Sequence, residues 1–540
     1  MPAEVSTAGT APARQAQEPA WKPAYNPWLI ALTVTLASFM EVLDTSIANV
    51  ALPHIGGSLS ASQDESTWVL TSYLVSNAIV LPLSGWLSMV MGRKNFYMAC
   101  VVMFTLSSFL CGIAPSLGAL VFFRVLQGVG GGGLQPSEQA ILADTFAPEK
   151  RGMAFAIYGI AVVTAPAIGP TLGGWITDNF SWRWIFFINI PVGFLSIFLT
   201  SFMVQDPPYF TKMRAEKKRT GLKVDYWGII FVALGLGFLQ VMLDKGDRDD
   251  WFESNFIRWC ALIAAVGVVL AIWREVHTDD PVVDLSLLRE RNFRISALLM
   301  FMVGVVLLGS TVLIPQYLQL VMGYSATNAG FAISPGGVLI MCMLPFVGVL
   351  IGKVEARWMI LIGLIITSLA LFHMTVFNTE MGMRTAIVAR CYQAAGLAFL
   401  FVPINTVAYA FVPRTKNNAA SGLINLMRNI GGSVGIAVVI SLLSHRTQYH
   451  QARLTENTSA GSAAMANALA GASHSLVRHG ASISQAPHQA YGLIMNQVLR
   501  QASVLAYIDC FYALAIVFAL MIPLIFFMKK TRPGRASMGH

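Results

Sequence analysis

The residues able to do chemistry in this chain are charges standing where charges are costly. Arg124 opens RVLQGVGGGGLQP (Arg124 to Pro136), a glycine-rich stretch inside an apolar run, while Glu41 and Asp44 lie in another, FMEVLDTSIANVALP. A guanidinium at bilayer depth costs about 2.5 to 3.5 kcal/mol on insertion scales, so it needs an internal partner or a water-filled cavity. The two acids, three residues apart, share one face of a helix and are the candidate partners. Two acids and an arginine in hydrocarbon point to a proton or ion pathway. The plainer alternative is an ion pair that only locks two helices together.

Such charges presuppose elements that carry them into a membrane. Of 540 residues, 55% are hydrophobic and 12% charged, against about 25% charged in soluble domains. An all-α polytopic membrane protein follows. The net charge of +9 sits in short basic clusters scattered between apolar runs, which argues against a nucleic-acid surface. Runs long enough to cross about 30 Å of hydrocarbon fall near 28–52, 66–88, 95–113, 115–140, 152–176, 184–204, 226–243, 256–273, 294–320, 328–351, 357–376, 383–410, 418–444 and 503–528. The first run follows an Ala- and Pro-rich tail and lacks a cleavage pattern, so it is expected to remain as a span. With both termini inside, 24 of 36 basic residues are cytoplasmic, 9 outside and 3 within spans, as the positive-inside rule requires for an even span number.

An internal repeat organises these spans. Arg124, Gln127 and Pro136 recur as Arg390, Gln393 and Pro403 at offsets of 266, 266 and 267, and GWLSMVMGRK recurs weakly as GVLIGKVEAR at 263. Duplicated halves imply two six-helix bundles around a central cavity, with two helices inserted between them. The expected division is a disordered cytoplasmic tail (1–27), an amino-terminal bundle (28–204), a linker with the two inserted helices (205–293), a carboxyl-terminal bundle (294–528) and a second tail (529–540). Within the last bundle, 445–501 is the one sizeable outward segment, and its composition predicts two polar, alanine-rich helices. The first half holds Glu41, Asp44, Arg124 and Glu138. The second holds Arg390 and Arg428 but no intramembrane acid except Asp509 near an outer end.

LDTSIANVALP, RVLQGVGGGG, AIGPTLGGW, WRWIFFINIPVG and SGLINLMRNIGGSVG together resemble the major facilitator superfamily. More narrowly, the chain is similar to the fourteen-span drug:proton antiporters of the EmrB/QacA type, and DKGDRDDWF and LRQASVLAYIDCFYALA lean toward the EmrB-like branch. The resemblance implies a multi-pass bacterial inner-membrane exporter of hydrophobic small molecules in exchange for protons. It also implies a periplasmic membrane-fusion adaptor and a TolC-like outer-membrane channel as partners, for which 445–501 is the candidate surface. By the same resemblance Arg124 is the coupling arginine, Asp44 the first-span acid, with Glu41 assisting, and Gly169, Pro170, Gly173 and Gly174 the antiporter motif. Physically, the proline kinks its helix and the glycines admit a close neighbour. Gly85, Gly92, Arg93 and Lys94 match the loop motif after the second span, but Met89 replaces its usual aspartate; Asp144 and Glu149 are the alternative partners for Arg93.

Tyr73, Tyr158, Gln316, Tyr317 and Tyr392 are candidates for a substrate cavity, and Arg428 with Asn425 for bracing the interface between halves. GVGGGG meets a nucleotide-loop spacing, but no GK[ST] follows and it lies in a span. Six cysteines in or beside apolar runs, and five outward histidines without i,i+4 pairing, offer no metal or cofactor site. No catalytic set stands on an aqueous loop, so an enzyme is not expected. A proton-coupled uptake symporter and a non-transporting sensor remain as alternatives.

Overall fold

The computed structural model describes residue 21 and residues 23–219, 224–278, 280–456 and 463–531. Residues 1–20 and 22 of the expected amino-terminal tail, and 532–540 of the other, lie outside the described residues. Regular structure among the described residues is helical throughout. Among the described residues thirteen helices are long and apolar enough to cross a membrane, and a bent one makes fourteen.

The first half is built from α1 (Pro27–Ser58), a single turn α2 (Gln63–Ser66), α3 (Trp68–Met91), α4 (Arg93–Gly112), α5 (Leu117–Gly132) with α6 (Leu134–Thr145), α7 (Arg151–Asn179), and α8 (Trp184–Phe187) with α9 (Asn189–Met203). Local chemistry sets the boundaries. Asn26 caps α1 by accepting from the Trp28 N–H, with Pro27 in the first turn. Ser62 and Glu65 form a capping box at α2. Gly92, at φ 91°, turns the chain from α3 into α4 in a conformation that favours glycine. α5 and α6 make one span interrupted at Gly133.

α10 (Pro208–Arg219) is an unanticipated helix in a stretch read only as linker; its hydrophobic residues are too few to mark it by periodicity. The inserted spans α11 (Tyr226–Lys245) and α12 (Asn255–His277) cross at Gly235 and Gly267, where a Cβ on either would meet the other helix's backbone at 2.7 Å or less. In their apolar windows only 28% and 22% of residues are buried, so the rest is left to lipid.

The second half comprises α13 (Arg291–Gln316), continued by a π-helical turn at Tyr317–Val321, α14 (Ala326–Leu350), α15 (Ala356–Met374), α16 (Met383–Ala408), α17 (Asn417–Glu456), α18 (Ala463–Arg478) and α19 (Ala486–Ala519). The outward segment differs from expectation. Instead of two separate helices, α17 runs on through 40 residues to Glu456, and α19 already begins at Ala486, with α18 between them. No glycine or proline separates Gly435 from Glu456, so nothing stops α17 at the membrane surface.

Both ends of the described chain share one face. Trp28 packs edge-on against Phe146 at the end of α6, and Lys529 bonds Glu290 and Asn292 at the start of α13. Hydrogen bonds between the halves run from this terminus-bearing face to mid-membrane. They join Asp144 to Asn417, Gln139 to Ser421, Asn425 and Tyr409, Tyr158 to Asn425 and Arg428, and Asn77 to Asn429.

Candidate functional site

The charges that opened the sequence converge. Asp44 on α1 and Arg124 on α5 form a fully buried ion pair, Arg124 Nη1 donating to Asp44 Oδ2 at 2.6 Å. Three residues along α5, Gln127 accepts from Arg124 Nη1 (2.7 Å) and donates through Nε2 to Asp44 Oδ1 (3.0 Å). Asn189 at the start of α9 donates to the same oxygen at 2.6 Å, and Ser108 on α4 accepts from Gln127 at 2.7 Å. Arg124 Nε donates to the Val69 carbonyl (3.0 Å), and its guanidinium lies 4.3 Å from the Tyr73 ring centroid. Five helices, α1, α3, α4, α5 and α9, therefore position one carboxylate against one cation. Such a pair withstands burial because neutral donors satisfy the remaining lone pairs.

Glu41, one helical turn from Asp44, belongs to a second cluster joined to the first through Tyr73. The Tyr73 hydroxyl donates to Glu41 Oε1 (2.9 Å), Asn77 adds a bond at 3.3 Å, and Gln135 Nε2 donates to Oε2. Gln135 Oε1 accepts from the Tyr158 hydroxyl (2.9 Å) and from Arg428 Nη2. Arg428 belongs to the second half, so a continuous chain of polar contacts leads from the Asp44–Arg124 pair across the interface between halves.

The glycine and proline residues on α7 shape the far side of α1. This helix bends by 43° between Pro166 and Ile168. The position follows from Pro170, which lacks the N–H that would otherwise reach the Pro166 carbonyl four residues earlier. Ser46 Oγ on α1 donates to that freed carbonyl at 3.5 Å, and a Cβ on Gly169 would meet Ser46 Oγ at 2.3 Å. Gly173 lies against Ile47, but Gly174 has nothing within 4 Å, so close helix approach does not account for it.

A model of the family described as Major Facilitator Superfamily matches residues 34–436. The chain belongs to the major facilitator superfamily. The multidrug export protein EmrB of Haemophilus influenzae is 40% identical over 79% of this chain and 83% of its own. EmrB of Escherichia coli strain K12 is 35% identical over 94% and 97%. The solved structure of the human organic anion transporter MFSD10 superposes with a TM-score of 0.61 at 13% identity, covering 93% of this chain and all of the other, a likeness of fold alone.

In this major facilitator chain, the arginine of the repeat has a different setting in the second half. Arg390 Nη1 donates to Gln393 Oε1 (2.6 Å) and to Ser310 Oγ (3.4 Å), and Gln393 donates to Ser310 at 2.8 Å. Among the described residues no carboxylate pairs with Arg390, and its buried Nε has no hydrogen-bond partner.

At the terminus-bearing face, Arg93 pairs with Asp144 rather than Glu149, in the absence of an acid at Met89. Asp144 also accepts from the Tyr209 hydroxyl (2.7 Å) and from Asn417 Nδ2 (2.8 Å). Burial, then the negative charge of Asp144, pushes the Tyr209 hydroxyl well above its ordinary pKa, so it stays a donor. Lys94 bonds Asp206 and Ser201, and Arg214 of α10 donates to the Val90 carbonyl beside Gly92. Gly85 touches Ala419 across the interface.

The five cavity candidates do not share one cavity. Tyr73 and Tyr158 sit in the polar network just described. Tyr317 is packed against Phe377 and Tyr507 with its hydroxyl on the Asn378 carbonyl, Gln316 precedes it half-buried, and Tyr392 is 54% exposed with its ring near His373. Tyr392 is two residues from Arg390, and on a helix that spacing turns it to the opposite side. Between the halves lies a small apolar cavity of about 10 Å³, bounded by Val163, Val303, Leu307, Ile340, Leu397 and Phe401, barely the space of one water. Among the described residues no group of three His, Cys, Asp or Glu side chains is placed to hold a metal. Asn189, Ser108 and Gln135 are the site residues that charge-based reasoning passes over. A neutral amide or hydroxyl in an apolar run carries no strong penalty to flag it; the NIP stretch at Asn189 was the available signal.

Proposed function

We propose that this protein is a proton-coupled antiporter that exports hydrophobic or amphipathic drugs and toxic compounds from the cytoplasm or inner leaflet. It acts without chemical change to its cargo, as the inner-membrane subunit of a tripartite efflux system. The observation that carries this reading is the Asp44 carboxylate. It is buried at membrane depth, held by one arginine and two neutral donors, and so situated that a proton and Arg124 compete for it. The names of the two EmrB relatives support export as the direction and drugs as the cargo.

In this mechanism Asp44, assisted by Glu41, takes a proton from outside, which neutralises the carboxylate and loosens its hold on Arg124. The network through Tyr73, Gln135 and Arg428 passes that change to the interface between 28–204 and 294–528, the two moving bundles. Cargo favours the deprotonated, inward-open state, and protonation releases it outward. A membrane potential contributes about 2.3 kcal/mol per charge per 100 mV, enough for concentrative export. With both termini cytoplasmic, as the basic loops require, the interhalf hydrogen bonds close the cytoplasmic side. The outer parts of α17 and α19, with α18, then project into the periplasm as the surface for an adaptor and a TolC-like channel.

The test uses proteoliposomes containing the full chain and a pH-sensitive dye, challenged with lipophilic cations, uncouplers and hydrophobic toxins. Compound-evoked proton movement in the wild type, abolished by Asp44→Asn, is the expected result. Movement that persists in the variant removes Asp44 from the coupling role, and a wild type silent to every compound removes antiport.

A further inference from the structure

A third buried acid has no role in the mechanism above. Glu138 on α6 is fully buried. Its Oε1 accepts from the Thr35 hydroxyl at 2.5 Å, and its Oε2 has no hydrogen-bond partner. Among the described residues no Lys, Arg or His pairs with it. Beside it lies the buried hydroxyl of Ser38, close enough to act on the carboxyl though not in a well-formed hydrogen bond to it. The titratable groups facing Glu138 are Glu41 on α1, Tyr97 on α4 and Tyr158 on α7. The nearest cation of the network, Arg428 on α17, is bonded to Gln135 and Tyr158 instead.

This setting contrasts with those of the other acids. Asp44 and Asp144 each pair with an arginine, and Glu41 accepts three hydrogen bonds. An ionised Glu138 would have neutral hydroxyls alone and no cation in the membrane interior, which is the expensive arrangement. A proton on Oε2 removes the charge, and Ser38 Oγ offers the acceptor.

The placement supplies a route. Thr35, Ser38, Glu41 and Asp44 follow one another at three-residue steps along α1, each beside the next, in a row that spans about 13 Å and winds about half-way round the helix from the Asp44–Arg124 pair toward the terminus-bearing face. Glu138 stands at the Thr35 and Ser38 end. Its neighbours in sequence, Gln135 and Gln139, carry the hydrogen bonds to Arg428, Asn425 and Ser421 that hold the halves together on that side. Opening of that interface strips α6 of these partners and admits water next to Glu138.

We propose that Glu138 is a second proton-carrying site, which holds a proton while the terminus-bearing side is closed and releases it to that side when the halves part. The proposal rests on the proton-coupled reading of the function but adds a residue and a proton to it. Proton transfer alone is involved: Oε2–H loses its proton to entering water, the carboxylate is hydrated, and reclosure requires reprotonation from the Glu41 side.

The experiment uses the full chain in proteoliposomes in two readouts. Infrared difference spectra between closed and open states, the latter set with a lipophilic-cation substrate, are expected to show a protonated carboxyl band that Glu138→Gln removes and Asp44→Asn retains. Under a one-unit pH gradient, Glu138→Gln is expected to lower steady-state accumulation of that cation about tenfold, the factor one coupled proton contributes. An unchanged band or an unchanged accumulation ratio in Glu138→Gln overturns the second site while leaving coupling at Asp44 intact. Absence of proton movement in the wild type overturns coupling itself and this proposal with it. If Glu138→Gln does not fold, Glu138→Asn, matching Asn405 at the repeat position, carries the same two measurements.

Discussion

The two halves hold the same frame with different charge. Asp44 shifted by the repeat offset of 266 is Ser310, Glu41 is Leu307, and Glu138, at the 267 offset of the following prolines, is Asn405. The geometry persists through these exchanges. Gln127 and Gln393 each accept from the arginine three residues before them and donate to the first-helix residue, Asp44 in one half and Ser310 in the other. The carboxyl groups at these repeat positions all belong to the first half, while the second retains a cation and neutral hydrogen-bonding groups. Acidity is thus confined to three side chains laid on a symmetric scaffold. The fold itself does not supply it. The one second-half acid noted in the sequence, Asp509, is engaged at the base of the outward projection by Arg446 (2.6 Å) and His450 (2.7 Å).

Deleting each arginine in turn should separate the two halves most widely. Arg124→Ala leaves Asp44 buried without its cation, a loss of about 3 to 5 kcal/mol. Arg390→Ala strands no carboxylate and removes hydrogen bonds worth about 1 to 2 kcal/mol in sum. Thermal unfolding of the full chain in detergent should therefore show a clearly larger loss for Arg124→Ala. Equal losses would mean that the Asp44 charge does not distinguish the halves.

The interface breaks the symmetry in the opposite sense. Arg428 reaches from the second half to Gln135 and Tyr158, and its counterpart at the 266 offset is Val162, which cannot return the contact. Charge-assisted hydrogen bonds are worth about 1.5 to 3 kcal/mol, so Arg428→Ala should shift the equilibrium between closed and open halves about tenfold or more. A cysteine pair reports this. A Cβ at Gly85 lies 3.4 Å from that of Ala419, near the separation a disulfide requires. Gly85→Cys with Ala419→Cys should cross-link readily and arrest transport, and adding Arg428→Ala should slow cross-linking about tenfold. An unchanged rate would demote Arg428 from latch to packing residue.

Much of this was legible in the sequence, for identifiable reasons. Apolar runs place the spans because lipid forbids unsatisfied backbone, and the cost of an arginine in hydrocarbon points from Arg124 to the pair Glu41 and Asp44, of which Asp44, 80 residues away, makes the bond. The partner of Arg93 was narrowed to two acids but not chosen, since Asp144 and Glu149 differ only in which helix turn they occupy. Asn189 and Gln135 stayed hidden because neutral amides occur in spans at little cost. The bond from Gln135 to Arg428 depends on how two separately folded bundles meet, which no local pattern encodes. The extension of α17 past the membrane was missed because polarity was taken to end a helix that only a glycine or proline would have stopped.

The halves also differ in the helices that carry their glycines. Gly169 shifted by 266 is Gly435, and both sit where another helix presses close: a Cβ at Gly435 would meet the Val305 carbonyl oxygen at 2.5 Å, and one at Gly169 would meet Ser46 Oγ at 2.3 Å. Of the two, only the first carries a proline next to it, and α7 is bent by 43° just before it. At Gly435 the obstacle is backbone, which yields little; at Gly169 it is a hydroxyl able to rotate away, at the cost of its bond to Pro166. Gly435→Ala should therefore destabilise more than Gly169→Ala, both within the roughly 1 to 3 kcal/mol of overpacked sites. Gly174→Ala faces open space and should be neutral or gain up to about 1 kcal/mol from helix propensity. If Gly174→Ala instead abolishes transport at unchanged unfolding temperature, that glycine serves a state of the cycle in which another surface comes against it, and α7 moves more than its partner α17.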